Sequence, residues 1–198
     1  MKKDTNTKTA LISVAHKLFA DRGYDGVSIA DIAGELGITK QALLHHFGNK
    51  EKLYGKVLEG VSDRFGEIIQ AHEEKGDTKR EQFFSILHDL YEQMNTQKHD
   101  ARLIMRELLE NQPRIESKQK WYLRPFLEKL TELIREITVK EQLSSAEAFT
   151  RIYQILGAMN YFAISDPTLK KMFGKQTYND VEQLFFNQLK QMYALDEQ

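Results

Sequence analysis

The stretch from Val27 to Lys52, VSIADIAGELGITKQALLHHFGNKEK, constrains the fold of this chain more than any other. Ser28 is placed to cap a helix, with Asp31 three residues on to return a bond to the Ser28 backbone. Ile29, Ile32, Ala33 and Leu36 then recur at helical spacing, one apolar stripe on a polar helix. Gly37 follows the last of them, where a left-handed stop is easiest for a residue without a Cβ. Thr39 is placed to cap a second helix that turns Ala42, Leu43 and Phe47 inward. Lys40, Gln41, Leu44, His45 and His46 are left facing outward. Two short helices joined by a tight turn containing Gly form a helix-turn-helix, whose second helix enters the DNA major groove.

The flanking sequence supplies the rest of a three-helix head. Thr5 to Asp21 reads as an amphipathic helix with Leu11, Val14, Ala15, Leu18 and Phe19 on one face. Arg22-Gly23-Tyr24-Asp25-Gly26 is a turn. A long helix opens at the N-cap Asn49, carries Leu53, Val57, Val61, Phe65, Ile68 and Ile69, and persists to Gly76. The expected boundary between head and body lies at its start, giving domains 1–48 and 49–198.

From Lys8 to about Val57 the sequence also resembles the TetR/AcrR-type bacterial transcriptional regulators. The resemblance rests on LFADRGYDGVSIADIAGELGIT followed by ALLHHFGNKEKLYGKVL. The chain departs from the family pattern at Leu44, where tyrosine is usual and touches a phosphate, and at Gln41, where a small residue is common. The resemblance implies an N-terminal DNA-binding domain and a C-terminal helical domain for effector binding and dimerisation. It also implies that the helix from Asn49 passes movement in the body to the spacing of two heads.

Beyond the head every segment has helical period. Thr78–Asn95 carries Phe83, Phe84, Leu87, Leu90, Tyr91 and Met94, and Asp100–Leu109 turns Leu103, Ile104, Leu108 and Leu109 inward. Ile115–Lys140 holds Trp121, Tyr122, Phe126, Leu130, Leu133, Ile134 and Ile137. Pro125 either kinks that helix or starts a new one, and the kink is the expected outcome. Ser144 or Ser145, helped by Glu147, caps a helix to about Ile164 that is apolar on nearly every side and so expected to be buried all round. Asp166-Pro167 should end it, and a last helix, Asp180–Tyr193, sets Val181, Leu184, Phe185, Leu189 and Met192 on one face. No segment alternates like a strand, so the fold class is all-α.

Composition bounds the chemistry. A formal charge of −1 does not favour nucleic acid, but its distribution does. Residues 1–56 hold nine Lys/Arg against six Asp/Glu. Of the totals of 28 and 29 that leaves 19 basic and 23 acidic residues for the remainder. A basic head on an acidic body points toward phosphate. With no cysteine there is neither a disulfide nor a thiolate metal site. No apolar run reaches the roughly 18 residues of a spanning helix, and no signal-peptide pattern opens the chain, so the expected location is cytoplasmic. His45 and His46 are adjacent rather than four apart on a helix, so no metal is expected there, and no cofactor either. There is no Gly-rich phosphate loop or nucleophile elbow, hence no enzyme. Glu107 and Glu110 read as partners of Arg106 or Arg114.

Three candidate surfaces follow. For DNA, Thr39, Lys40, Gln41 and His45 have the side chains that read base edges, with Leu44 beside them. Ser28, His46 and Lys50 are the phosphate contacts. For an effector, Phe65, Tyr91, Met94, Trp121, Tyr122, Phe126, Tyr153, Met159, Asn160 and Phe162 either fill the core or line an apolar pocket. The resemblance implies the pocket. For self-association, the helices at 145–164 and 180–193 carry more apolar surface than one subunit can bury, as in a homodimer joined by a four-helix interface. The expected function is a repressor released from a palindromic operator by a small apolar effector. The alternative is a DNA-binding protein of the same fold controlled by a protein partner.

Overall fold

In the computed structural model residues 2–73, 78–110, 121–138 and 142–192 are described, with side chains from residue 7 onward. Among them lie nine α-helices and no strand: α1 Lys2–Arg22, α2 Ile29–Glu35, α3 Lys40–Phe47, α4 Lys50–Glu73, α5 Lys79–Thr96, α6 Lys98–Glu110, α7 Arg124–Ile137, α8 Ser145–Phe173 and α9 Lys175–Met192. The all-α reading therefore holds. The chain divides into two compact units, Met1–Arg64 with Arg102–Leu123, and Phe65–Ala101 with Arg124–Gln198. The first unit takes in Lys50–Arg64 of α4 beside residues 1–48. A head of about 50 residues has too little interior to stand alone, and the first half of α4 completes it. Leu53, Tyr54, Val57, Leu58 and Val61 are all buried, and the Tyr54 ring meets Phe19 edge-on at 5.0 Å.

The helix ends of the first unit are met by side chains near and far along the chain. Ser28 Oγ accepts from Asp31 N–H while Ser28 N–H donates to Asp31 Oδ2 at 2.7 Å, the reciprocal cap read from the sequence. Gly37 and Gly48 take left-handed φ values of 63° and 79° at the ends of α2 and α3. The C-terminal carbonyls of α1, which have no intrahelical donors, are taken by α6. Arg106 donates through Nε to Ala20 O at 2.9 Å and through Nη2 to Asp21 O at 3.0 Å, and Arg102 binds Asp21 Oδ1 at 2.9 Å. Arg106 also pairs with Glu110, as expected, but Glu107 receives the Tyr54 hydroxyl at 2.9 Å instead. Arg114 lies outside the described residues.

The second unit is built from α5, α7, α8 and α9, with α8 touching the other three. Phe65, Phe83, Ile86, Leu90, Leu130, Ile152, Ile155 and Met159 are fully enclosed. A run of near-parallel rings joins three helices: Tyr178 on Phe162 at 5.7 Å, Phe162 on Phe185 at 4.2 Å and Phe185 on Tyr91 at 5.8 Å.

Several expectations need correction here. Pro125 does not kink a helix; it sits in the first turn of α7, where its missing N–H has no partner to lose. Residues 111–120 and 139–140 of the expected 115–140 helix lie outside the described residues. Leu108 and Leu109 are 53% and 70% exposed rather than inward. Asp166-Pro167 does not end α8, which runs on to a Gly174 cap at φ 83°. Tertiary contact outweighs the local break, because the Asp166 carboxylate is held by Lys98 from α6 and by Lys170 one turn on. The last helix accordingly starts at Lys175, not Asp180. Finally, α8 is not buried all round: one side is enclosed, whereas Phe149, Tyr153 and Tyr161 are 43%, 54% and 67% exposed.

Candidate nucleic-acid interface

The outer face of α3 follows from which of its residues the head encloses. Leu43 and Phe47 are buried and Ala42 is half-buried, so Lys40, Gln41 and His45 are left exposed with Leu44 and His46 half-exposed beside them. Thr39 caps the helix, its Oγ1 accepting from Ala42 N–H at 3.2 Å. A hydroxyl that accepts in a cap still has its own hydrogen to donate. Thr39, which is exposed, keeps that donor for a phosphate or base edge, whereas the Ser28 hydroxyl turns its hydrogen to the Asp31 carboxylate. The His45 and His46 rings meet edge-on at 5.9 Å, and His46 lies edge-on to Phe47 at 6.3 Å. The two hydrogen bonds from Ser28 hold the Asp31 carboxyl below its usual range, so the cap is charged at neutral pH.

Two lysines flank this face on aromatic rings. Lys50, first residue of α4, has its Nζ 4.1 Å from the Tyr24 ring centroid. Lys8 on α1 lies 5.8 Å from the Phe47 centroid, near the outer limit of a cation–π contact. Asn49 caps α4 by accepting from Lys52 N–H at 2.8 Å. The expected DNA residues Ser28, Thr39, Lys40, Gln41, Leu44, His45, His46 and Lys50 thus all belong to the first unit. Sequence reasoning missed Tyr24, since an aromatic residue in a turn carries no signal of what it seats.

The residues expected to line a pocket divide between the two units. Phe65, Tyr91, Met94, Phe126, Met159 and Asn160 are buried in the second unit, with Phe65 and Phe126 rings 5.0 Å apart. Trp121 and Tyr122 belong to the first unit and precede α7, Trp121 being 52% exposed and Tyr122 half-buried. Tyr153 points outward on α8, 54% exposed. A void of about 10 Å³ in the second unit, lined by Phe84, Leu87, Ile155, Phe186, Leu189 and Lys190, has room for no more than one water. Asn160 is 3% exposed and its Oδ1 has no hydrogen-bond partner.

Comparison with known proteins places this architecture. Residues 11–57 match the bacterial regulatory proteins of the tetR family. Residues 80–193, more than half of the chain, match the C-terminal domain of the HTH-type transcriptional dual regulator CecR. The chain belongs to the TetR family. Among curated relatives, the biofilm operon icaADBC negative transcriptional regulator IcaR of Staphylococcus epidermidis is 36% identical over 62 residues, 31% of this chain and 34% of that one. IcaR of Staphylococcus aureus strain Newman is 30% identical over 80 residues, 40% of this chain and 43% of that one. The chain thus spans less than half the length of the curated relatives it matches. The TetR fold extends over nearly the whole chain. The fatty acid degradation regulator FadR from Bacillus halodurans superposes with a TM-score of 0.67 at 17% identity, covering 92% of this chain and 93% of that one. The ketosteroid regulator KstR2 of Mycobacterium tuberculosis gives 0.67 at 16% identity, with 92% of each covered.

Proposed function

We propose that this TetR-family protein is a cytoplasmic, homodimeric transcriptional repressor that holds a palindromic operator and releases it when a small apolar effector enters the second unit. The observation that carries the DNA-binding part is the outer face of α3, where Lys40, Gln41 and His45 stand clear of the head while Leu43 and Phe47 fix the helix from beneath. Gln41 suits a bidentate bond to adenine and Lys40 a guanine or a phosphate. Ser28, Thr39, His46 and Lys50 anchor the head on the backbone, which sets register without reading sequence. Two such heads on a two-fold axis read half-sites one DNA turn apart.

The dimer reading rests on the apolar surface of α8 and α9. Phe149, Tyr153, Tyr161, Val181 and Leu184 are all more than two fifths exposed, an extent of surface that a lone soluble chain seldom leaves in water. The effector reading rests on Asn160, a buried acceptor without a donor in an apolar interior, which is costly unless something supplies one. The effector acts by binding one arrangement of the second unit more tightly than the other. Catalysis forms no part of this function.

The test is a gel shift on fragmented genomic DNA at several salt concentrations, followed by the same assay with Gln41→Ala on the fragment retained. Loss confined to that fragment, by about 1–3 kcal/mol per base contact, supports base reading. Equal loss on unrelated DNA, or no shift with any fragment, overturns it. For the effector, a ligand at about 100 times its dissociation constant adds about 2.7 kcal/mol of stability, and Asn160→Leu removes that gain if Asn160 is its partner.

A further inference from the structure

We infer that Tyr24 is a positioning residue for DNA binding: its ring is the seat that holds the Lys50 ammonium in place for a backbone phosphate. The inference rests on the reading of Lys50 as a phosphate contact. A lysine carries its charge on a flexible four-carbon stem, and fixing that stem on binding costs rotamer entropy. In this head the cost is met before DNA arrives, because Lys50 Nζ already lies 4.1 Å over the Tyr24 ring.

The ring is itself fixed from two sides. It stacks on Phe19 of α1 at 6.0 Å and 22° and meets Tyr54 of α4 edge-on at 5.0 Å and 76°. Phe19 is fully buried and Tyr54 only 3% exposed, so the seat is tied to the head's core. The turn that delivers Tyr24 favours glycine at the preceding position. Gly23 has φ 76°, and a Cβ there would come 2.7 Å from Glu110 Oε2. Contact with a ring face uses the charge of an ammonium without using up its N–H donors, so Lys50 keeps hydrogen bonds for a phosphate oxygen. The position also suits an anion on other grounds, since Lys50 is the first residue of a 24-residue helix and the positive end of the helix dipole adds to its charge.

The test measures DNA affinity and its salt dependence for the full-length protein on one retained fragment, beginning with Lys50→Ala. That variant weakens binding on all DNAs and lowers the salt slope by about one per head. An unchanged slope removes Lys50 from the contacts and takes the inference with it. If Lys50→Ala behaves as expected, Tyr24→Leu is to weaken binding about three- to ten-fold and flatten the slope toward that of Lys50→Ala, while Tyr24→Phe, which keeps the ring, binds as the native protein does. Combined with Lys50→Ala, Tyr24→Leu adds nothing further. A loss of the same size in both backgrounds means that Tyr24 serves only the fold, and no loss in either means that Lys50 needs no seat; both overturn the inference. Should Tyr24→Leu fail to fold, site-specific incorporation of phenylalanines with increasing fluorination at position 24 drains the ring's negative face at nearly constant shape. Affinity then falls stepwise with fluorine number if the ring holds the ammonium, and stays level if it does not.

Discussion

The two units of this chain solve opposite problems. The first has little interior and makes up for it with polar devices: the Ser28–Asp31 reciprocal cap and the Thr39 cap within the helix-turn-helix, and the two α6 arginines reaching the end of α1 from far along the chain. The second has ample interior, with a ring stack running through α5, α8 and α9, yet leaves an apolar outer face on α8 and α9 and a buried Asn160 acceptor unsatisfied. The first unit offers an exposed polar face on α3. In the second unit the exposed apolar face and the buried Asn160 are the observations on which the proposed dimer and effector rest.

Mutations can break this contrast. The largest effect is expected from Phe83→Ala, which empties a fully enclosed site in the second unit and should cost about 3–5 kcal/mol in chemical denaturation. Leu184, 54% exposed, lies on the outer face of α9. If a second copy covers it, Leu184→Glu shifts the sedimentation velocity profile from dimer to monomer with helicity retained; an unaltered profile would put the contact elsewhere. Next comes Arg106→Ala, which strips the donors from two α1 carbonyls. Charge-assisted bonds of this kind are worth about 1.5–3 kcal/mol each at most, and partial solvent access to Arg106 places the loss near the lower figure.

Smaller effects sharpen the contrast further. Ser28→Ala and Ser144→Ala each remove the capping hydroxyl while leaving the backbone return bond in place, for about 1 kcal/mol of stability apiece. Only Ser28→Ala should also weaken DNA binding, which a gel shift at matched folded fraction would reveal. The smallest effect is acid sensitivity. Hydrogen bonds from Thr78 and Ser144 hold the Glu81 and Glu147 carboxyls below their ordinary value of 4.5, and Asp31 lies below its ordinary 3.8 in the same way. A lowered folded-state value means the unfolded chain binds protons first. The stabilisation is therefore complete above the ordinary values and fades as pH falls through the depressed ones. Melting temperature followed from pH 6 downward should show this fall, and Glu147→Gln should make it shallower.

The elements of the head were legible because their signals are contiguous. A cap, an apolar stripe and a glycine stop all fall within a dozen residues of each other around Ser28, Ile32 and Gly37, and each agrees with the next. The prolines of the second unit misled for the converse reason. Pro125 and Pro167 state only a local preference, and at Asp166-Pro167 the outcome also depends on Lys98, far along the chain. Periodicity also found α8 apolar on nearly every side, but it cannot tell an apolar face covered by the same chain from one left outside.

By itself, then, the sequence determined the all-α class, the helix-turn-helix and the set of side chains on the outer face of α3, because helix period and capping are properties of neighbouring residues. Only the tertiary structure decided that α4 completes the head's core, that α6 caps α1, that Trp121 and Tyr153 are exposed, and that Lys50 rests on Tyr24. Each of these joins residues widely separated along the chain or depends on which face the rest of the fold encloses, and such pairings are set by packing rather than by local preference.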